Sequence, residues 1–346
     1  MSRIAGFVLS FVMVAAVASA GTAPRAYTVL APITHGNLSI FPVLTGESHD
    51  TQAFLTLDEG VRSGEVVVTE SGRVQPLVRG HERPPIPTGG AEVNRLVLVN
   101  NSDRPLLLLA GEIVTGGKQD RVIGKDRIIP AHSDPVDLGV FCVEPGRWTG
   151  RSDKFGTLGV QVAQPSVRAK AMAEKDQQQV WAEVRRSTAG VAAAGPPSTT
   201  SYAQTMAAAP VQREVDRIAA PIARDYQSLL AELRRRNAVG VVAAVNGQIV
   251  WADVFASPSL LEKYWPKLVR SYAAQAVVEG VSANSTPSQS EAQAFLDHLG
   301  GQRQIVESEP GVFSHRETIG DGYEVFQLTS LLPKTGFDVH LAKMAE

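Results

Sequence analysis

Short apolar runs separated by turn-forming residues dominate the chain from residue 25 to residue 150. The runs are rich in β-branched side chains, which favour strands, and the Asn, Asp, Gly and Pro residues between them favour chain reversals. The runs predict strands at Leu38–Leu44, Glu65–Thr69, Arg95–Asn100, Leu106–Leu109, Arg127–Ile129 and Pro135–Val143. A single short helix is predicted at residues 57–64, because acidic residues open this segment and glycine closes it.

The pattern changes beyond Gly156. Residues 166–186 are rich in Ala, Lys, Glu and Gln and predict one or two helices, with Trp181 and Val184 facing the core. Residues 187–210 consist mainly of Ala, Gly, Ser, Thr and Pro. Such a composition buries too little surface to offset its ordering entropy, so this segment is predicted to be a mobile loop.

Residues 211–346 mix helical and strand patterns. Apolar residues three or four positions apart predict a long helix at 211–236, bent near Pro221. Asn246-Gly247 lies between two apolar runs and predicts a hairpin with a type I′ turn. Further helices are predicted at 259–278 and 288–299, followed by strands at 303–308, 312–319, 322–328 and 337–341. This order predicts a single α+β domain over residues 21–346, with terminal strands that complete sheets begun earlier.

The first 20 residues have the pattern of a secretory leader. Arg3 precedes a short apolar run, and Ala18-Ser19-Ala20 supplies small residues for cleavage. The alternative, a membrane anchor, fits less well because the run is shorter than the roughly 20 apolar residues that span a bilayer. No later run is longer, so we expect a soluble periplasmic or secreted protein without stable membrane insertion.

Composition excludes several functional classes. The formal net charge is −2, and loss of Arg3 with the leader would make it −3, so nothing indicates a nucleic-acid-binding protein. Cys142 is the only cysteine, which excludes an internal disulfide. Neither cysteine nor histidine occurs at metal-ligand spacing, so no metal site is predicted, and no cofactor motif is present.

The first segment with candidate chemistry is residues 106–121. An apolar strand leads to Glu112, and Gly116-Gly117 frees the backbone just before Lys118, Gln119 and Arg121. Such a loop can direct main-chain N–H groups and basic side chains towards an anion. It is not a P-loop, because Gln119 stands where Ser or Thr is required. The alternative is a plain glycine-rich turn in which the basic residues are solvated and Glu112 pairs with one of them.

The second segment runs from Phe141 to Trp148. Trp148 can stack on a sugar or a base while Arg147 binds a phosphate or carboxylate. Alternatively, Trp148 lies at the edge of the core and Arg147 pairs with Glu144 or Glu112.

These motifs resemble a known family. Gly111-Glu112, residues 116–121 and residues 142–148 are similar to the signatures of the ARG and rhodanese-phosphatase-superfamily-associated protein domain, and the similarity continues through residues 239–265. Members are associated by gene neighbourhood with ADP-ribosylglycohydrolases, which implies a role around ADP-ribose or related ribosyl phosphates. The resemblance draws attention to Glu112, Lys118, Gln119, Arg121, Glu144, Arg147 and Trp148.

Two functional hypotheses follow. In the first, the protein binds, and also processes, an anionic ligand such as a ribosyl phosphate. Glu112 or Glu144 would then serve as general base, and Lys118, Arg121 and Arg147 would stabilise charge. In the second, it is a non-enzymatic envelope protein that recognises a polymer or a protein, and the motifs form an internal brace.

Overall fold

The computed structural model describes residues 26–71, 93–282 and 285–346. The predicted leader, residues 1–20, lies outside this range, so the structure does not bear on it. In the described residues the strands are β1 Tyr27–Val29, β2 Ile33–His35, β3 Leu38–Thr45, β4 Leu55–Thr56, β5 Val66–Glu70, β6 Arg95–Asn100, β7 Leu106–Leu108, β8 Glu112–Thr115, β9 Arg121–Ile123, β10 Arg127–Ile129, β11 Val136–Cys142, β12 Gly156–Val162, β13 Ala238–Val245, β14 Gln248–Phe255, β15 Arg303–Glu309, β16 Phe313–Ile319, β17 Tyr323–Ser330 and β18 Asp338–Ala345.

The α-helices of the described residues are α1 Leu57–Ser63, α2 Pro165–Ala169, α3 Gln177–Gly190, α4 Tyr202–Ala207, α5 Ala209–Arg235, α6 Pro258–Glu279 and α7 Gln289–Asp297. A π-helical turn, Lys170–Glu174, follows α2, and a 3-10 turn, Ala192–Ala194, follows α3. Capping side chains define several starts. Thr56 and Glu59 form a capping box at α1, and Ser257 caps α6.

The largest sheet contains both the first and the last strand of the described residues. Nine described strands form it, in the order β1-β3-β13-β14-β18-β17-β16-β15, with β2 also paired to β3. All of its pairings are antiparallel. The predicted turn at Asn246-Gly247 connects β13 to β14, and both residues have positive φ, 51° and 81°, as a type I′ turn requires.

The candidate motifs lie on a second, smaller sheet. Its order in the described residues is β12-β8-β9-β11-β6-β5, while β10, β7 and β4 form a separate three-stranded sheet. Helix α6 packs its buried face, including Tyr264, Leu268 and Tyr272, into the main hydrophobic core. That core also contains Ile113 of β8, so strand β8 is fixed against the helical layer.

The mixed α+β fold is confirmed, with a β-rich first half and C-terminal strands that join the large sheet. The prediction for residues 187–210 is wrong in part. The end of α3, a 3-10 turn and helix α4 occupy much of this segment, and Tyr202 and Met206 are buried there. Composition averaged over the segment concealed these two large side chains, which anchor α4 in the core.

Candidate functional site

A tight glycine loop connects β8 to β9. Gly116 and Gly117 have positive φ angles of 126° and 47°. A Cβ on Gly117 would lie 2.2 Å from the Phe155 ring and 2.6 Å from a carboxylate oxygen of Glu70, so only glycine fits there. The sequence therefore requires the Gly-Gly pair for packing as well as for backbone conformation.

The backbone N–H groups of this loop bind protein oxygens. Gly116 N donates to Asp120 Oδ1 at 3.1 Å, Gly117 N to Ser152 Oγ at 3.3 Å and Lys118 N to Glu70 Oε1 at 2.7 Å. The predicted convergence of these groups on an external anion is therefore wrong in this structure, because each already has an acceptor.

Arg147 binds the backbone carbonyl groups of the same loop. Its guanidinium donates to the carbonyl oxygens of Gly117 at 3.0 Å and Gly116 at 3.3 Å, and to Glu144 Oε2 at 2.6 Å. The Glu144–Arg147 pair that the sequence offered as an alternative is thus present. The carbonyl oxygens of the loop therefore bind the guanidinium group of the protein's own Arg147.

Glu144 and Asp120 lie side by side beneath the loop, and both are buried. Glu144 Oε2 accepts from Asp120 N at 3.1 Å, and Glu144 Oε1 lies 3.0 Å from Arg151 Nη2. Burial opposes ionisation of Glu144, but Arg147 and the backbone bond lower its pKa below the usual value. Burial raises the pKa of Asp120 although Ser201, at 2.7 Å, opposes this effect. Ser201 also caps α4, so the motif and the predicted loop segment are in contact.

Glu112 belongs to a different cluster. Its Oε1 accepts from Lys267 Nζ of α6 at 2.7 Å, and its Oε2 accepts from Leu109 N at 2.9 Å. Lys267 also forms an ion pair with Asp58 of α1. Burial raises the pKa of Glu112, with Lys267 acting in the opposite direction. The described contacts of Glu112 and Glu144 share no partner, so the structure does not join the two candidate carboxylates in one site.

Several buried polar atoms near the loop have no hydrogen-bond partner among the described residues. These atoms are Arg121 Nη2, Arg147 Nε, Gln119 Oε1 and Glu70 Oε2. Arg121 is 0% exposed, and Gln119 and Glu70 are each 5% exposed. The remaining donors of Arg121 bind the carbonyls of Val93 at 2.7 Å and Asp120 at 3.4 Å. Buried donors and acceptors are paired in the great majority of cases, so a group of unpaired ones calls for an explanation.

Trp148 and Lys118 contact each other beside the loop. The Trp148 side chain is 44% exposed and is the one aromatic residue among the large exposed hydrophobic residues of the described chain. Lys118 Nζ lies 4.8 Å from the centre of its ring, in cation–π geometry. We call Glu70, Lys118, Gln119, Arg121, Arg147 and Trp148 the motif cluster. Five of these six residues were singled out from the sequence. Glu70 was not, because it lies at the end of strand β5, far from the motifs in sequence.

Sequence analysis also missed a fully buried charge network. Asp253 of β14 binds Arg168 of α2 through two bonds of 2.9 Å. His340 of β18 bridges two carboxylates, with Nδ1 2.6 Å from Asp126 Oδ2 and Nε2 3.1 Å from Asp253 Oδ1. Tyr272 donates to Asp253 as well. Asp126, Arg168, Asp253 and His340 are all 0% exposed.

The charges in this network support one another. Burial opposes ionisation of His340, but Asp126 and Asp253 raise its pKa to about 9. Arg168 and His340 lower the pKa of Asp253 against the effect of burial. The only hint in the sequence is the occurrence of lone charged residues in apolar segments, such as Asp253 and His340 within their strands. Their pairing across such long separations follows from the sheet topology, which the sequence does not display.

Neither a metal centre nor a membrane span is found in the part of the chain that the structure describes. No group of three or more His, Cys, Asp or Glu residues there has the arrangement of a metal site. No described helix combines the length and apolar character needed to cross a bilayer.

Comparison with known proteins identifies a family. No curated protein and no solved structure matches the chain. The family model described as the ARG and Rhodanese-Phosphatase-superfamily-associated Protein domain matches residues 26–341, which include the motif cluster and both ends of the large sheet. The chain therefore belongs to the ARG and Rhodanese-Phosphatase-superfamily-associated Protein domain family.

Proposed function

We propose that the protein binds an anionic small molecule that also carries hydroxyl groups, such as a ribosyl phosphate or an ADP-ribose-like compound, at the motif cluster. The observation that carries this proposal is the set of buried, unpaired polar atoms of Arg121, Arg147, Gln119 and Glu70. An unpaired buried polar group costs about 1–3 kcal/mol, so several of them together favour a partner that supplies the missing bonds.

The unpaired atoms indicate the chemistry of that partner. Arg121 Nη2 and Arg147 Nε are cationic donors, which suit phosphate or carboxylate oxygens. Gln119 Oε1 and Glu70 Oε2 are acceptors, which suit hydroxyl hydrogens. Trp148 offers a ring face for a base or a sugar. Phosphate, hydroxyl groups and a stacking ring occur together in ribosyl phosphates, the class that the family resemblance implies.

Binding is better supported than processing. A general base needs a carboxylate oxygen free to take a proton from the reacting group. Both oxygens of Glu112 and both oxygens of Glu144 are engaged by lysine, arginine or backbone groups. We therefore assign Glu144 to holding Arg147 of the motif cluster in place, and Glu112 to holding strand β8 against helix α6. We also propose that the protein works in the periplasm or the medium, because of its predicted leader.

A thermal-shift screen tests the proposal. The panel is ADP-ribose, ribose 5-phosphate, NAD and inorganic phosphate, and the variants are Arg121→Lys and Trp148→Ala. We expect saturable stabilisation of the wild-type protein by at least one phosphate-bearing compound, because a ligand at 100 times its Kd adds about 2.7 kcal/mol. Both variants should bind more weakly, since Arg121→Lys removes the unpaired Nη2 and Trp148→Ala removes the exposed ring.

Matched controls separate binding from stability. Leu331→Ala removes another exposed hydrophobic side chain, 38% exposed, outside the motif cluster. Arg168→Lys weakens the buried ion pair between residue 168 and Asp253 in the charge network. Both controls should keep the ligand-induced shift, although Arg168→Lys lowers the melting temperature. If Leu331→Ala and Trp148→Ala lost the ligand-induced rise in melting temperature equally, the assignment of Trp148 to the ligand site would be wrong.

The alternative is a non-enzymatic envelope protein that recognises a polymer or another protein. The brace formed by Arg147, Glu144 and the glycine loop favours it, because those contacts hold Trp148 outward on a fixed loop. Under this alternative no compound in the panel raises the melting temperature. Trp148→Ala then lowers affinity for cell-wall fragments or for a protein partner and leaves stability unchanged.

A further inference from the structure

The last strand of the large sheet has an open edge. β15, Arg303–Glu309, pairs with β16 on one side, and no other described strand pairs with it. Its residues 303–308 are all exposed. Ile305 and Val306, which are 37% and 56% exposed, are two of the large exposed hydrophobic residues. Because neighbouring residues of a strand point to opposite faces, each face of β15 carries one of them.

β15 carries three charged residues, Arg303, Glu307 and Glu309, but lacks the other common protections of an edge strand. Natural edges are commonly blocked by charged side chains, especially lysine, by proline or by a β-bulge. The sequence of β15 contains neither proline nor lysine, and its register with β16 is continuous from Arg303↔Ile319 to Glu309↔Phe313. Seven residues of regular backbone are therefore available for pairing with another strand.

The charge order of β15 fits a second copy of itself. A two-fold antiparallel pair centred on Val306 places Arg303 opposite Glu309 of the other copy at both ends, Gln304 opposite Ser308 and Ile305 opposite Glu307. Glu309 also pairs with Arg127 of its own chain at 3.1 Å, so Arg303 of the other copy would be its second cation. Directly opposite side chains lie about 5 Å apart, where opposite charges attract. A pair centred on Glu307 would bring two glutamates together. One centred on Ile305 would place Arg303 opposite Glu307, but it would pair only residues 303–307 of the strand and leave Glu309 outside the pairing.

We propose that two copies of the protein associate through antiparallel pairing of their β15 strands, centred on Val306, so that their large sheets become continuous. This surface is separate from the motif cluster, so the proposal does not depend on ligand binding. A single strand pair is smaller than the about 800 Å² per partner of a standard stable interface. The dimer should therefore dissociate on dilution.

Analytical ultracentrifugation of the purified protein tests the association and its register. We expect the weight-average mass to rise from one chain towards two between about 1 and 300 µM. Arg303→Glu alone and Glu309→Arg alone should each remain monomeric, because each places like charges opposite one another in the homodimer. An equimolar mixture of these two variants should dimerise, since every facing pair then has opposite charges.

Arg316→Glu is the matched control, since Arg316 is exposed on the neighbouring strand β16. It should dimerise like the wild type. A wild-type mass that stays at one chain throughout would overturn the proposal. So would a dimer that persists in Arg303→Glu, or a variant mixture that stays monomeric while the wild type dimerises.

Discussion

Replacing His340 by glutamine should make the stability of this protein less dependent on pH. In the folded protein both ring nitrogens of His340 face carboxylates, Asp126 at 2.6 Å and Asp253 at 3.1 Å. A neutral imidazole can donate only one of these bonds, so the geometry requires the charged form. Glutamine has a similar length but carries no charge.

The magnitude follows from the two pKa values of His340. Its pKa is about 9 in the folded protein, against an ordinary value of 6.5. This difference corresponds to about 3 kcal/mol of stabilisation. Because the folded pKa is the higher one, the stabilisation is fully present below pH 6.5, declines as the pH rises from 6.5 to about 9, and is absent above that pH.

Urea unfolding from about pH 6 to about pH 9.5 provides the assay. The wild type should exceed His340→Gln by about 3 kcal/mol at the acid end, with the difference shrinking towards the alkaline end. Burial lowers the pKa of Lys343 to about 8, which produces the opposite trend at high pH. That contribution is common to both proteins and cancels in the difference. His298→Gln, at an exposed position, is the matched control for the replacement of a histidine.

Direct titration of the imidazole by NMR keeps the prediction testable if the variant does not fold. The wild-type His340 ring should stay protonated up to about pH 9. An imidazole that titrates near pH 6.5, or an unfolding difference that is constant across the pH range, would refute the reasoning.

Two further predictions concern packing around the motifs. Gly111→Ala should destabilise the protein by about 1–3 kcal/mol more than Gly146→Ala, as measured by urea unfolding. Both glycines have φ near 90°, but a Cβ on Gly111 would lie 2.5 Å from a buried arginine side chain whereas Gly146 has open space. Equal effects would show that the close approach is relieved without cost. Lys267→Met should cost about 3–5 kcal/mol in the same assay, because it leaves Glu112 buried without its cation. Lys170→Met, at a more exposed lysine, should cost less than about 1 kcal/mol, and similar costs for the two would contradict the assigned role of Lys267.

Local chemistry determined which parts of the fold were predictable. The turn at Asn246-Gly247, the helix that ends before Gly64 and the strands at 95–100 and 127–129 all depend on signals within a few residues. Strands β8 and β9 were missed, because they are short and flank a glycine loop that dominates the local pattern. Helix α4 was missed because its stability derives from tertiary burial of Tyr202 rather than from helix propensity.

The candidate site was predictable as a set of residues but not as an arrangement. The sequence places Lys118, Gln119, Arg121, Arg147 and Trp148 in two segments, and the antiparallel pairing of β9 with β11 brings those segments together. Glu112 belongs elsewhere, because the reversal at Gly111 turns its side chain towards Lys267. No pattern within the motifs indicates that Glu112 pairs with Lys267, which lies on a helix far away in sequence.

Isothermal titration calorimetry with ribose 5-phosphate tests the central claim most directly, with ribose and inorganic phosphate as half-ligands. The account predicts saturable binding to one site per chain, weaker or no binding of either half-ligand, and at least tenfold weaker binding to Arg121→Lys, which corresponds to about 1.4 kcal/mol. ADP-ribose should bind at the same site and compete. Absence of heat with both phosphorylated compounds, or affinity that is unchanged in Arg121→Lys and Trp148→Ala, would contradict the assignment of the motif cluster as a ligand site.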